Sequence, residues 1–190
     1  MWINGELVVF EGQLKRGPAP EDTYYDKVDI TSYLKTGPNK IAILLWYFGK
    51  EGFSHNNSGQ AGLVFQCDAI DLLSDASWNA RVDRGYEYTS RPYPNYRLPE
   101  SNIRFDARRG NFDWVKPGAQ NRGFRKVKVL GNAESKPWNN LIERPIPHWK
   151  NYGMKNYEKT VELPYTSKGD TLVCKLPHNA HITPYFKIKS

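Results

Sequence analysis

The sequence predicts an all-β fold, and three observations predict it. Aromatic residues make up 14% of the 190 residues while the hydrophobic fraction is only 39%. Fifteen glycines and 13 prolines cut the chain into short runs, a profile of strands and turns rather than helices. The run Ile41 to Leu45, IAILL, is also long and apolar enough for the inner strand of a sandwich.

The elements follow in order. WINGELVVFEG reads as a hairpin: Trp2-Ile3 closes one strand, Asn4-Gly5 is the strongest two-residue turn signal, and Leu7 to Phe10 opens the next. A first strand this short leads us to expect that the chain starts inside a domain. Lys15 to Thr23 is a polar loop with two prolines. In YDKVDITSYLKTGPNKIAILL, Asp29, Thr31 and Ser32 can bond local backbone groups, and Tyr33-Leu34 can anchor a short helical turn. Gly37-Pro38-Asn39 then reverses the chain into IAILL. Trp46-Tyr47-Phe48 comes next, read as core and rim packing.

Residues 49–62 form a glycine- and asparagine-rich surface loop. LVFQC, ending at Cys67, is a strand, and Ser74 to Trp78 a turn that delivers Trp78 to a core. Tyr86 to Phe112 is long, aromatic and irregular, with prolines 92, 94 and 99; such a loop usually serves a function or packs against something else. Phe124 to Leu130 returns to a strand. A Pro-rich segment with Trp138, His148, Trp149 and Tyr152 then crosses the first domain. Tyr157 to Leu163, Thr171 to Leu176 and Pro184 to Ile188 read as three further strands, too few for a core of their own. The expected organisation is a sandwich over 1–130, a crossing segment over 131–151 and a partial second β-domain over 152–190.

Composition excludes several classes. The net charge of +7 comes from scattered Lys and Arg that alternate with Phe124, Val127 and Val129, as on a solvated sheet face. No helix-turn-helix, zinc-finger or RNP-like pattern accompanies them, so nucleic acid is not expected as a partner. No apolar run approaches the roughly 20 residues that cross a bilayer, so no membrane partner is expected either. Met1 leads directly into Trp2-Ile3 without the basic and apolar segments of a secretion signal. Cys67 and Cys174 read as two buried free thiols rather than a disulfide. Without CxxC or HxxxH spacing zinc is not expected, and His178 and His181 read as surface residues. Acidic pairs such as Asp26/Asp29 and Glu100/Asp106 lack an acid/base context, and the histidines lack a nucleophile motif. The chain itself is therefore not expected to catalyse a reaction.

Taken in order, the motifs resemble the N-terminal region of bacterial α-L-rhamnosidases. WINGE resembles that family's strand, Asn-Gly, strand opening. YYDKVDITSYLKTGPNKIAILL resembles its Asp-Val-Thr, Leu-Lys, Gly-x-Asn core, SDASWNA its Asp-x-x-Trp turn, and Phe105 to Arg108, FDAR, its Tyr-Asp-Ala-Arg motif. KLPHNAHITPYFKIKS resembles a following β-domain. Where the family often has Gly-Glu before Tyr-Asp-Ala-Arg, this chain has Asn102-Ile103. The resemblance implies a jelly-roll, galactose-binding-like sandwich followed by the start of a second sandwich. It implies a parent glycoside hydrolase, periplasmic or extracellular, that removes terminal L-rhamnose with inversion, one carboxylate acting as acid and one activating water. In that family both lie in a helical barrel further along, so no catalytic residue transfers. The implied partners are that catalytic domain and rhamnose-containing glycans. No cofactor is implied; jelly rolls of this kind can carry a structural calcium, but no cluster of alternating Asp and Asn places one here.

Sugar sites pair an aromatic platform with side chains that make bidentate hydrogen bonds to hydroxyls. Tyr86, Tyr88, Tyr93, Tyr96 and Trp114, with Asp106 and Arg108, supply both, and an extended backbone would put Asp106 and Arg108 on one side. The competing reading is that Asp106 and Arg108 form an internal salt bridge pinning the long loop, with the tyrosines packed beneath. Trp138 and Trp149 are read as anchors for a neighbouring domain. An autonomous carbohydrate-binding module is the alternative to a scaffold.

Overall fold

The computed structural model describes residues 1–10, 16–47, 49, 56–88, 103–110, 112–148, 150, 152–158, 164–180 and 187. The described residues form short β-strands, bends and three-residue 3₁₀ turns, with no α-helix among them. The protein is thus β-based. It divides into two compact units, Met1–His148 and Trp149–Ser190.

The first unit is built from small sheets. β1 (Trp2–Ile3) lies between β2 (Glu6–Leu7) and β4 (Ile41–Ala42), antiparallel to both. The turn joining β1 to β2 is the one its sequence demands: Asn4 and Gly5 both take positive φ, 53° and 88°, as the two central residues of such a hairpin do. Ile3, on the central strand, is fully buried, and Ala42 on β4 is buried with it.

The approach to β4 is organised by side chains. Asp29 Oδ1 accepts from the Thr31 N–H at 2.9 Å, opening a 3₁₀ turn over Thr31–Tyr33. Asn39 closes the following loop upon itself. Its amide donates to Lys35 O (2.8 Å) and Gly37 O (2.9 Å), and its oxygen accepts from the Lys35 N–H (2.9 Å). Asn4 then joins the two motifs: its Nδ2 donates to Tyr33 O (3.0 Å) and Asn39 Oδ1 (2.9 Å), and its Oδ1 accepts from the Lys40 N–H (3.0 Å). The hairpin turn and the loop before β4 are one hydrogen-bonded corner.

Beyond this corner the ladders are shorter than the apolar pattern suggests. Only Ile41–Ala42 of IAILL lies in a strand, and Leu45 is exposed. Trp46, 51% exposed, stands at the surface with Tyr47, not in the core and rim expected of it; Phe48 lies outside the described residues. β5 (Gln66–Cys67) pairs with β6 (Leu72–Leu73), and β7 (Asn79–Ala80) with β10 (Arg125–Lys126), both antiparallel. Between β6 and β7, Asp75 Oδ1 accepts from the Ser77 N–H at 2.8 Å. The Trp78 indole N–H donates to Leu73 O at 2.8 Å, and its ring lies 5.4 Å from Phe65.

β8 (Tyr86–Tyr88) pairs antiparallel with β9 (Ile103–Phe105). β3 (Thr23–Tyr25) pairs in parallel with β11 (Leu141–Glu143), far apart in sequence, which ties part of the Pro-rich segment into this unit. The pair is reinforced by Thr23 Oγ1 donating to Trp138 O (2.7 Å) and by an ion pair beside it. There Arg144 Nε lies 2.7 Å from Asp26 Oδ1, with His148 Nε2 3.5 Å from the same oxygen; the Arg144 and Asp26 side chains are 5% and 12% exposed.

In the second unit the Glu158 N–H donates to Lys175 O at 2.9 Å, and Tyr165 OH donates to the Asp170 carboxylate. Residues 171–176 lie in no strand, and most of the stretches read as its other two strands lie outside the described residues. Both cysteines are free, as expected, but only Cys67 is buried. Cys174 is exposed because the chain around it joins no ladder that would cover one of its faces.

Candidate functional site

The sequence candidates converge on the β8–β9 hairpin and the segment after it. Asp106 is the pin. Its N–H donates to Gly85 O at 2.8 Å, and its carbonyl accepts from the N–H groups of Arg109 (3.0 Å) and Gly110 (3.2 Å). The backbone therefore turns at 106–109 instead of running extended, and Asp106 and Arg108 meet across that turn. The carboxylate accepts three bonds from one residue: Arg108 N–H (3.0 Å), Nε (2.9 Å) and a terminal guanidinium nitrogen (2.7 Å). This is the fork geometry in which Arg holds a carboxylate most firmly.

Electrostatics follow from that geometry. The Arg108 side-chain hydrogen bonds, helped by its backbone N–H, hold the Asp106 carboxyl down at about 2. The same contacts raise the Arg108 guanidinium above its ordinary value. Asp106 is thus a carboxylate at any physiological pH and no proton donor. Arg109 pairs with Glu87 across the hairpin.

Two glycines let the hairpin base close. A Cβ on Gly85 would meet Gly110 Cα at 2.9 Å, and one on Gly110 would meet Asp83 Oδ1 at 2.7 Å, so both positions exclude a side chain. Above this base the rings form a chain. Tyr86 lies 4.8 Å from Phe105, Phe105 lies 5.9 Å from Phe112, and Phe112 lies 6.4 Å from Trp114 in a stacked arrangement. Trp2 closes it edge-on to Trp114 at 5.6 Å. Tyr86, Trp2 and Trp114 are half-buried, while Phe105 and Phe112 are exposed. Burial, with a smaller contribution from the nearby Asp83 carboxylate, pushes the Tyr86 hydroxyl above its ordinary pKa.

Of the residues singled out from sequence, Tyr86, Asp106, Arg108 and Trp114 are thereby brought into one neighbourhood. The Tyr88 backbone lies in β8 opposite Ile103. Tyr93, Tyr96 and Trp149 lie outside the described residues. Trp138 is half-buried within the first unit, its indole close enough to Gly62 that a Cβ there would stand 2.6 Å from the ring. Trp2, Phe105 and Phe112 are members that sequence reasoning did not nominate. Phe105 opens FDAR and Phe112 follows it, so both could have been found from that motif, whereas nothing local points Trp2 toward them. Among the described residues no group of three or more His, Cys, Asp or Glu side chains gathers to hold a metal. Comparison with family models, curated proteins and solved structures finds no match.

Proposed function

We propose that this chain is a non-catalytic scaffold region of an α-L-rhamnosidase-like glycoside hydrolase: a jelly-roll-like sandwich followed by the start of a second β-domain. In this reading it docks against the catalytic domain of its parent enzyme, lends loops to recognition of rhamnose-containing glycans, and works in the periplasm or outside the cell. The family assignment rests on the ordered motifs, two of which, WING and the DIT to Asn39 segment, meet in the Asn4 corner. The observation that carries the docking role is the apolar surface of the first unit. Trp46, Leu73, Val82 and Ile146 all lie open, Val82 and Ile146 at 85% and 62%, beside a buried set that includes only Ile3, Ala42, Cys67 and Val115 among apolar described residues. Large apolar side chains left open in this number, against so few buried ones, would complete their burial against another domain.

The test has two arms. Purified folded chain should leave an aryl α-L-rhamnoside intact and should enhance the fluorescence of a dye that reports exposed apolar surface. Cleavage of the glycoside overturns the non-catalytic role; a silent dye on well-folded protein overturns docking. The autonomous carbohydrate-binding module has one observation in its favour, the exposed rings of Phe105 and Phe112, 5.9 Å apart. Titration with rhamnose-bearing oligosaccharides, with binding lost in Trp114→Ala, would select that reading instead.

A further inference from the structure

Between Asp113 and Glu134 the chain carries five Lys and Arg and no Asp or Glu. Four of them, Arg122, Arg125, Lys126 and Lys128, lie in or beside β10, and the fold brings Arg81 to them from a distant segment. Arg125 pairs with Ala80 and Lys126 with Asn79, so the antiparallel register puts Phe124 opposite Arg81. The Arg81 guanidinium accordingly lies 5.0 Å over the Phe124 ring, and its Nη1 donates to Arg122 O at 3.4 Å. Side chains alternate between the faces of a strand pair. Asn79, Arg81, Phe124 and Lys126 therefore share one face, and Arg125 takes the other. Lys126 Nζ donates across the pair to Ser77 O at 2.7 Å. All five basic residues of this strip are exposed, and among the described residues none of them forms an ion pair. The carboxylates that flank β7 are turned to their own backbone. Asp75 accepts from the Ser77 N–H at 2.8 Å, while also feeling the Lys126 charge, and Asp83 accepts from the Gly85 N–H at 2.9 Å.

We propose that the Arg81–Lys126 face of the β7–β10 pair binds an anionic polysaccharide, a chain of hydroxylated rings that carries carboxylates along its length. The first argument is charge. A row of cations without counter-charges repels itself, and an anionic polymer relieves that repulsion at several points at once. A single small anion would meet one exposed cation, which is worth little in water. The second argument is hydrogen bonding. The Asn79 amide, on the same face as Arg81 and Lys126, has no side-chain partner among the described residues. It offers a donor and an acceptor together, which suits a hydroxyl group better than it suits another anion. The third argument separates a polysaccharide from a nucleic acid. Single-stranded nucleic acid needs open rings on which its bases stack. Here both rings are engaged: Phe124 lies under Arg81, and Trp78 packs on Phe65 with its indole N–H given to Leu73 O. An acidic polypeptide would match the charge but bring no hydroxyls to Asn79. The inference rests on charge and hydrogen bonding alone, and depends neither on the family assignment nor on the docking role.

The experiment titrates the full chain into labelled sodium alginate oligomers, with a chelator present, and follows fluorescence anisotropy at low and high salt. Neutral dextran, polyglutamate and single-stranded DNA of matched charge serve as competitors. Alginate should bind, should weaken as salt screens the contacts, and should be displaced less readily by each competitor than by unlabelled alginate. Combining Arg122→Gln, Lys126→Gln and Lys128→Gln should weaken binding about tenfold, at about twofold for each exposed contact, with a dispersed amide spectrum retained. Arg125→Gln, on the opposite face, should change it little. A second triple variant, Lys35→Gln with Lys155→Gln and Lys168→Gln, removes the same charge elsewhere and should bind as the parent chain does. Absence of alginate binding overturns the proposal, as does equal weakening by the two triple variants, which would mean that net charge alone is at work. Tighter binding of DNA or polyglutamate than of alginate overturns it in favour of a nucleic acid or an acidic protein.

Discussion

Replacing Asn4 by alanine should be among the most damaging single changes in the first unit, and its size can be worked from the geometry. The substitution removes three hydrogen bonds, to Tyr33 O, Asn39 Oδ1 and the Lys40 N–H. At a net ~1 kcal/mol per bond they sum to about 3 kcal/mol, and part-exposure trims this to about 2 kcal/mol, because water can replace some of the partners. Alanine must also hold φ 53°, which costs an L-residue about 1–2 kcal/mol without asparagine's local bonds. The expected loss is about 3–4 kcal/mol, a large share of the 5–15 kcal/mol typical of a domain. Asn4→Gly removes the same bonds and relieves the φ strain, but adds about 0.5–1 kcal/mol of chain entropy, so it should be the milder change. Urea unfolding followed by tryptophan fluorescence, with Trp2 adjacent as reporter, should show the midpoint of Asn4→Ala lowered by about 1.5–2 M for a slope of ~2 kcal/mol per molar. Combining Asn4→Ala with Asn39→Ala should cost about 1 kcal/mol less than the sum, since the two share a bond. A loss under about 1 kcal/mol, or a glycine variant worse than the alanine, would refute the argument that this corner is organised by Asn4.

Three further outcomes are expected. The Asp106 carboxyl should titrate near 2 by carbon NMR and return toward the ordinary 3.8 in Arg108→Ala. Because its folded value lies below the unfolded one, its contribution to stability is present above about pH 4 and fades as pH falls toward 2; an unshifted midpoint in the parent chain would contradict the fork geometry. Arg144→Ala should cost about 3–5 kcal/mol in equilibrium unfolding by leaving Asp26 buried without its guanidinium, while Asp26→Leu combined with Arg144→Met should recover most of that loss; equal effects of the single and double changes would count against a buried pair. Cys174 should react with a thiol reagent at the rate of a small-molecule thiol while Cys67 reacts only as the unit opens, and equal rates for the two would show that Cys67 is not covered.

Local chemistry was legible in the sequence, and long-range partnership was not. Asn4-Gly5, Asp29 with Thr31, Asn39 with Gly37, and Asp75 with Ser77 each act over four residues or fewer. Their geometry is set by side chains that can reach only the neighbouring backbone, so residue type and spacing suffice to predict them. The aromatic hub was half legible. Asp106 and Arg108 were visible as a pair, but their meeting across a turn depends on Gly85 O and Gly110 closing against each other. Trp2 reaches Trp114 only because β4 and the segment after β9 lie beside the first strand, a proximity with no local signal.

What the sequence determined by itself is the β character of the chain, its turns and the identity of the residues able to build a site. Backbone conformation at a turn is chosen by the few residues within it, through allowed φ values and side chains that bond their own backbone. The tertiary structure alone decided that Thr23–Tyr25 pairs in parallel with Leu141–Glu143, that Arg144 is buried on Asp26, and that Trp46 and Leu45 stay outside. A strand of two or three residues has many partners of equal hydrophobic pattern. The choice among them is made by the summed burial and hydrogen bonding of the whole unit, a quantity that no single segment carries.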